Sequence, residues 1–304
     1  MRVDSVLMIA FGGPGRTEDV RPFLQLLLEG RPVPPARIEE VARHYEQIGG
    51  SPLSELTSRQ ARELEAELAL GGTPLPVHVG MAHWHPFLVD TMRRMVESGE
   101  KRTVGVVLAP HRSEASWDKY LRAVAEARAA LGNPPFEVVF HEPWHADPRF
   151  VEAVAEQVQE SLAGLPARDR ELTTVVFTAH SVPRPVSDRS GYAAQVTETA
   201  RLAAARLGHD RWTVAWQSRS GRPEDPWLEP DVKDHLRDLH ARGVRSVALM
   251  PVGFVCDHVE VLYDLDHEAA AAAKQIGLLF RRAKTVGVHP AFIRMLAGLV
   301  RKAI

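Results

Sequence analysis

Short apolar runs rich in β-branched residues alternate with longer segments of helical period along the whole chain. Each run is bounded by Gly or Pro, a pattern typical of buried parallel strands joined by helical crossovers. Eight runs show it: Val3–Ala10, Val77–Met81, Val104–Leu108, Glu137–Phe140, Thr174–Thr178, Thr213–Trp216, Ser246–Met250 and Leu278–Phe280. This alternation constrains the chain more than any other feature, and it predicts an α/β fold with parallel sheets.

The eight predicted strands fall into two sets of four with matching landmarks. Leu-Ala-Pro at 108–110 corresponds to Leu-Met-Pro at 249–251, and Asp-Pro-Arg-Phe at 147–150 corresponds to His-Pro-Ala-Phe at 289–292. Chance similarity of short Pro-containing pieces is the alternative explanation. We interpret the match as an internal duplication of a four-stranded unit.

The duplication predicts two halves, each with a four-stranded parallel sheet flanked by helices. We place them at residues 1–144 and 145–304, with the last helix packing back on the first half. Two open α/β halves predict a ligand crevice between them, at the carboxyl ends of the strands.

Composition narrows the class of protein further. The 304 residues include 37 Lys+Arg and 39 Asp+Glu, and this near-neutral balance disfavours nucleic-acid binding. The single cysteine, Cys256, excludes intrachain disulfides and an iron–sulfur cluster held by cysteines of one chain. No run approaches the ~18 apolar residues of a membrane span, and the first residues do not fit a signal peptide. We therefore expect a cytoplasmic protein.

Several unusual side chains follow the predicted strand ends, among them His83, His111 and His180. The chain has 14 His, so most are explained as hydrogen-bonded surface or core residues. His180 is the strongest candidate, because the following Ser-Val-Pro cannot be ordinary helix and should face the crevice.

An acidic row is the most informative segment. Glu260, Asp264 and Glu268 are four residues apart, which predicts one helical face, with His267 beside them. Like charges at this spacing repel by about 0.2–0.5 kcal/mol per pair, so a solvated face is the ordinary explanation. The alternative is a path or site for a hydrated divalent cation. We expect the opposite face to be apolar, with Val259, Leu262 and Ala270.

Motifs of other enzyme classes are weak or missing. The glycine-rich stretch at 11–15 lacks the G-x-G-x-x-G spacing and contains Pro14, so it predicts a tight turn where a flat ligand approaches the backbone. The sequence contains no G-x-S-x-G elbow and no H-E-x-x-H pair.

Taken together, six segments resemble the ferrochelatase family nearly end to end. They are VLMIAFGGP at 6–14, HYEQIGGSPL at 44–53, LAPHRS at 108–113, FTAHSVP at 177–183, WQSRSGRPEDPWLEPDV at 216–232 and MPVGFVCDHVEVLYDLDHE at 250–268. This family inserts a divalent metal, usually Fe2+, into a porphyrin late in haem synthesis. The resemblance implies two Rossmann-like halves, and the last segment is similar to the Gram-positive type, which converts coproporphyrin III to coproheme.

The resemblance also implies roles for individual residues. His180 and Glu260 match the family's active-site pair and would be both catalytic residues and metal ligands. Asp264 and Glu268 match the adjoining acidic line, which would conduct hydrated iron inward. His180 as a neutral imidazole would accept a pyrrole proton or ligate iron, and Glu260 would take the second proton or hold the metal. The sequence leaves open which of the pair is the base.

Porphyrin contacts are expected from a set of motif residues: Phe11, Ser51, His83, Arg112, Ser113, Tyr120 and Trp227. The chain departs from Gram-positive relatives where Phe11 replaces a tyrosine, and where Leu24 and Leu28 replace polar or basic residues near the propionates. Ser51, Arg43 and Arg112 are the candidate substitutes. Protoporphyrin IX therefore stays open as an alternative substrate.

The resemblance implies Fe2+ as a substrate, no permanently bound cofactor, no iron–sulfur cluster and a monomer. A haem-handling protein or a membrane surface would be a transient partner. A non-catalytic porphyrin- or haem-binding protein of the same fold is an alternative. A chelatase for Co2+ or Ni2+ and a sirohydrochlorin-like ring is disfavoured, because that class uses paired His where this chain has His180 with Glu260.

Overall fold

Eight strands form two four-stranded parallel sheets in the structure, a computed structural model that describes residues 2–30, 32–222 and 224–304. The strands are β1 (Ser5–Ala10), β2 (Val77–Met81), β3 (Arg102–Val107), β4 (Glu137–Phe140), β5 (Thr174–His180), β6 (Trp212–Gln217), β7 (Ser246–Met250) and β8 (Leu279–Arg282). The predicted α/β class and all eight predicted strands are confirmed, with ends that shift by a few residues.

The two sheets share one topology. The strand order is β2-β1-β3-β4 in the first and β6-β5-β7-β8 in the second, and every pairing is parallel. The first strand of each set is therefore interior and pairs with the second and third. This shared order supports the internal duplication inferred from the landmarks.

Helices connect the parallel strands. They are α1 (Val20–Leu27), α2 (Pro35–Gln47), α3 (Leu53–Leu70), α4 (Leu88–Glu97), α5 (Trp117–Ala130), α6 (Pro148–Ala163), α7 (Ala167–Arg170), α8 (Arg184–Ser190), α9 (Tyr192–Leu207), α10 (Val232–Ala241), α11 (Val259–Leu262), α12 (Ala270–Gln275) and α13 (Pro290–Lys302). A 3-10 turn at Thr17–Asp19 precedes α1, and a π-helical segment at Asp264–Ala269 joins α11 to α12.

The chain forms two compact units, one around each sheet. The first comprises Met1–Leu108, Trp117–Glu142 and Ile293–Ile304, and the second comprises Ala109–Ser116 and Pro143–Phe292. Two short segments thus belong to the unit formed mainly by the other half of the chain. Residues 109–116 belong to the second unit, and residues 293–304 belong to the first. In the first unit, Arg301 of α13 donates to the main-chain oxygen of Glu67 at 3.0 Å.

Each unit has its own apolar core. All six residues of β1 are buried, as its interior place in the first sheet requires. In the second unit, strand residues Val176, Val247 and Leu249 pack in one buried cluster with residues of α10, α11, the π-helical segment and α12. This cluster fixes the orientation of the acidic helical segment against the second sheet.

Among the described residues, the search for a helix long and apolar enough to cross a membrane finds none.

Candidate active site

His180 is the last residue of β5, and its imidazole is held from both sides. Nδ1 lies 2.5 Å from the main-chain oxygen of Ser181, so Nδ1–H donates there. Nε2 lies 3.4 Å from Oε1 of Glu260. The Tyr192 hydroxyl donates to the main-chain oxygen of His180 at 3.1 Å. The predicted pair of His180 with Glu260 is therefore formed within the second unit.

Glu260 lies in the first turn of a helical segment that runs through α11, the π-helical turns and α12. His258 caps its start, because Nδ1 of His258 accepts from the Glu260 N–H at 3.2 Å. The imidazole of His258 packs edge-on against Phe254 with ring centroids 4.5 Å apart. The position of the Glu260 backbone is thus set by a side-chain cap and not by the helix alone.

The buried face of this segment repeats every four residues. Val261, Leu265, Ala269 and Ala273 are all within the core cluster. A regular α-helix has 3.6 residues per turn, so a strict four-residue row would drift around it. The π-helical turns, in which Glu268 N–H bonds to the oxygen of Tyr263 at 3.0 Å, widen the helix and keep the row on one side.

The sequence-based prediction of which face of this acidic helical segment is buried is wrong. Val259, Leu262 and Ala270 are only half-buried. Three of the fully buried positions, Val261, Leu265 and Ala269, each directly follow an acidic residue. The expectation assumed a regular α-helical period, and the π-helical turns change it.

The three carboxylates of the row have three different partners. Glu260 faces the His180 imidazole, Asp264 accepts a hydrogen bond from the Ser218 hydroxyl, and Oε2 of Glu268 lies 2.8 Å from Nζ of Lys233. The repulsion expected between like charges is therefore offset at both ends of the row by cationic groups.

Residues just past β6 complete the arrangement, and sequence reasoning did not assign them a role. The Gln217 side chain donates to the main-chain oxygen of Glu260, and its own main-chain oxygen accepts from Ser181 N–H at 2.8 Å. Ser218 has a left-handed backbone with φ of 61°. Gln217 is the last residue of β6, as His180 is of β5, and Ser218 follows it. The sequence pattern marks Gln217 and Ser218 as unusual residues at the end of the sixth strand, but it gives neither of them a function.

The electrostatics give the pair an ionised resting state. Burial disfavours the His180 imidazolium, but the charge and hydrogen bond of Glu260, with the Ser181 carbonyl and Asp264, outweigh it and raise the pKa to about 9. Burial also works against the Glu260 carboxylate, yet His180 and then His258 keep its pKa below the ordinary value. His180 must therefore lose a proton before it can act as the neutral imidazole that the sequence-based interpretation requires.

Asp264 behaves in the opposite way. Burial raises its pKa to about 7, Glu260 and Glu268 add to the rise, and the Ser218 hydrogen bond and His180 oppose it. This carboxyl is close to half-protonated at neutral pH, so it can gain or lose a proton at little cost.

The predicted metal ligands form a row and not a closed coordination sphere. Within the described ranges, no group of three or more His, Cys, Asp or Glu side chains is placed to hold a metal ion. His180 and Glu260 are in contact, whereas Asp264 and Glu268 bond to Ser218 and Lys233.

Four predicted porphyrin contacts belong to the first unit. Phe11 and His83 lie together just past β1 and β2, with ring centroids 4.5 Å apart, and His83 N–H donates to the Phe11 oxygen at 2.9 Å. Ser51 is buried, and its N–H donates to the oxygen of Pro14 at 2.7 Å. Tyr120 is buried on α5.

The glycine-rich turn after β1 is tight, as the sequence predicted. Gly12 has φ of 88°, and a Cβ there would lie 2.9 Å from the backbone nitrogen of Trp84. Leu24, where the resemblance led us to expect a polar or basic residue, is buried within α1, and Leu28 is half-buried. Leu24 therefore serves core packing.

Three further predicted contacts belong to the second unit. Arg112 is exposed, and its N–H donates to the Gln195 side chain at 2.8 Å. The buried Ser113 hydroxyl bonds to that of Ser116 at 2.9 Å. Trp227 is buried with its indole N–H donating to the oxygen of Arg222 at 2.9 Å.

Comparisons with known proteins find matches over nearly the whole chain. The family model described as ferrochelatase matches residues 3–304. The coproporphyrin III ferrochelatase of Nocardia farcinica is 41% identical over 99% of this chain and 88% of its own length. That of Mycobacteroides abscessus is 39% identical over 100% of this chain and 89% of its own.

Among solved structures, SirB from Bacillus subtilis with Fe3+ has a TM-score of 0.59 and 14% identity, covering 99% of this chain and 96% of that one. At such low identity the similarity concerns the fold alone. The resemblance inferred from the sequence motifs is confirmed by the family match.

Proposed function

Since the chain belongs to the ferrochelatase family, we propose that it inserts Fe2+ into coproporphyrin III, forming coproheme and releasing two protons, in haem biosynthesis. The proposed substrate is that of the relatives named above. The observation that carries the chemistry is the His180–Glu260 pair, with Nε2 and Oε1 3.4 Å apart, at one end of a row of carboxylates.

The pair makes a base available only when the metal arrives. In the resting state His180 is an imidazolium beside the Glu260 carboxylate, because Glu260 raises the His180 pKa to about 9. A divalent cation that binds Glu260 neutralises the charge holding that proton. Burial, now opposed only by the Ser181 carbonyl and Asp264, favours the neutral imidazole. His180 therefore gives up its proton to Asp264 or to water, and its Nε2 becomes free to accept one from a pyrrole N–H.

This order of events assigns the roles of base and metal ligand, which the amino-acid sequence left open. Glu260 holds the metal, and His180 acts as the base. The order also couples the two substrates, since the porphyrin cannot be deprotonated efficiently by His180 before the iron is near.

Asp264 and Glu268 lead the hydrated metal to Glu260. Carboxylate oxygens suit a hydrated divalent cation, and each can replace one water in turn. Asp264, with a pKa of about 7, can also take up a proton released near Glu260 at neutral pH.

The porphyrin contacts are proposed on chemical type. Phe11, with no hydroxyl, packs against the macrocycle and does not bind iron, and His83 lies beside it. The exposed guanidinium of Arg112 suits a propionate. Ser51, Ser113, Tyr120 and Trp227 complete the proposed set.

We also propose that the enzyme is monomeric and cytoplasmic, with no resident cofactor and no iron–sulfur cluster. Fe2+ is a substrate, and any contact with a haem-handling protein or a membrane surface is transient.

An anaerobic insertion assay with Fe2+, run in parallel on coproporphyrin III and protoporphyrin IX, tests the proposal. We expect turnover on coproporphyrin III, its abolition in His180→Ala with the circular dichroism spectrum unchanged, and normal turnover in the control His240→Ala, a histidine at the end of α10.

Preference for protoporphyrin IX would overturn the proposed substrate. Normal turnover in His180→Ala would overturn the assignment of the pair. Stoichiometric binding of either porphyrin without turnover would replace the enzyme by a carrier.

A further inference from the structure

Lys233 places a cation on the outermost carboxylate of the acidic row. Its Nζ lies 2.8 Å from Oε2 of Glu268, and the two side chains are 37% and 38% exposed. Lys233 is in the first turn of α10, where its N–H donates to the capping Asp231 carboxylate at 2.9 Å. The base of the side chain is therefore fixed, and the ammonium is reached from solvent.

The Lys233 ammonium occupies the position beside Glu268 that a metal ion would take. Among the described partners of the row, Glu260 has the imidazolium of His180 and Asp264 has only the Ser218 hydroxyl. Glu268 alone is paired with a flexible cation on a long side chain. A metal ion that takes Oε2 as a ligand must first displace this ammonium.

We propose that Lys233 is a tethered competitor for the metal substrate, displaced from Glu268 when a divalent cation arrives, so that it sets the affinity of this end of the row for metal. This rests on the proposed function, in which the row conducts the metal. Exposed ion pairs are weak, and a divalent ion is attracted twice as strongly as the ammonium, so the exchange is favourable for a divalent ion. A monovalent ion has no such advantage over a tethered ammonium.

Two matched variants separate this contact from net charge. Lys233→Met keeps the length of the side chain and removes the ammonium. Lys274→Met makes the same change of charge on α12, at an exposed lysine of the same helical segment. Binding of Co2+ to the protein without porphyrin is measured by calorimetry, and the KM for Fe2+ is measured in the insertion assay.

We expect Lys233→Met to tighten Co2+ binding and lower the KM for Fe2+ by about three- to fivefold, the range that an exposed ion pair allows. The KM for the porphyrin should not change, and Lys274→Met should bind Co2+ as the unaltered chain does. In a Glu268→Gln background, which itself should weaken Co2+ binding, Lys233→Met should have no further effect.

Equal behaviour of Lys233→Met and Lys274→Met would overturn the proposal. So would a gain that persists in the Glu268→Gln background, or Co2+ binding that Glu268→Gln leaves unchanged. Co2+ binding requires no turnover. If the chain failed to insert iron, the proposed function would fail while the binding measurements would still decide the role of Lys233.

Discussion

Replacing Glu260 by glutamine tests the central electrostatic argument, because it removes the charge and keeps the shape of the side chain. The His180 pKa is about 9, against an ordinary 6.5, and Glu260 is the main cause of the rise. In Glu260→Gln the burial of His180 is opposed only by the Ser181 carbonyl and the more distant Asp264. We expect the His180 pKa to fall to about 6.5 or below.

The change is large at neutral pH. With a pKa of about 9, His180 is about 99% protonated at pH 7, whereas a pKa of about 6.5 leaves about a quarter protonated. The measurement is an NMR titration of the histidine Cε1–H signals between about pH 5 and pH 10, with His180 assigned by its loss in His180→Ala. Glu156→Gln, which breaks the His289–Glu156 pair elsewhere in the second unit, is the control and should leave His180 unchanged.

Stability should follow the same titration. A raised folded-state pKa stabilises the fold fully below the unfolded value near 6.5, and this contribution is lost as the pH rises through about 9. The difference in free energy of unfolding between the unaltered chain and Glu260→Gln should therefore shrink over that interval. A His180 signal that titrates near 6.5 in the unaltered chain, or stays near 9 in Glu260→Gln, would refute the reasoning.

Two further predictions concern the groups that hold the row. Arg282, at the end of β8, donates to both carboxylate oxygens of Asp266, at 2.8 and 2.7 Å, and to Asp257 at 3.2 Å. Arg282→Met should therefore lower the free energy of unfolding, measured in urea, by about 1–3 kcal/mol. Arg282→Lys should recover part of this loss. Stability within about 0.5 kcal/mol of the unaltered chain would contradict this. Ser218→Ala removes the hydrogen bond that lowers the Asp264 pKa, so a carboxyl carbon NMR titration should place that pKa above about 7, and a fall would contradict the assignment.

The fold was predictable because its signals are local. Most strands coincide with short runs of apolar, β-branched residues, and the order of runs and helical segments is enough to indicate two parallel sheets. The position of His180 at a strand end follows from the same pattern. The pairing of His180 with Glu260 came from the family resemblance, and the structure shows the two side chains in contact.

What sequence reasoning missed depends on distant parts of the chain. The buried face of the acidic helix was misplaced because a 3.6-residue period was assumed, and the strict four-residue row from Val261 to Ala273 is possible only with π-helical turns. Ser218 and Lys233 reach the row from a strand end and a helix that precede it in the chain, and no spacing rule connects them to it. The raised pKa of His180 depends in the same way on a distant residue, since Glu260 is its main cause.

The second sheet positions the chemistry through its strand ends. His180 pairs in register with Gln217 at the ends of β5 and β6, so the base and the support of Glu260 are fixed by the sheet's own hydrogen bonds. Arg282, at the end of β8, ties the acidic helix to a third strand of the same sheet. Residues held on strands keep their geometry better than residues on free loops, as a proton-transfer pair requires.

The first sheet has the same strand order, yet its strand ends carry different side chains. Aromatic rings follow β1 and β2 at Phe11 and His83, where the second sheet has an ionisable pair and a hydroxyl. One topology thus carries two different sets of strand-end side chains, because parallel strands bring their carboxyl ends to one edge whatever residues follow them. If the units arose by duplication, the scaffold was kept while the residues at the strand ends diverged. Exchanging these strand-end residues between the units should therefore alter the chemistry of each unit, with little effect on either core.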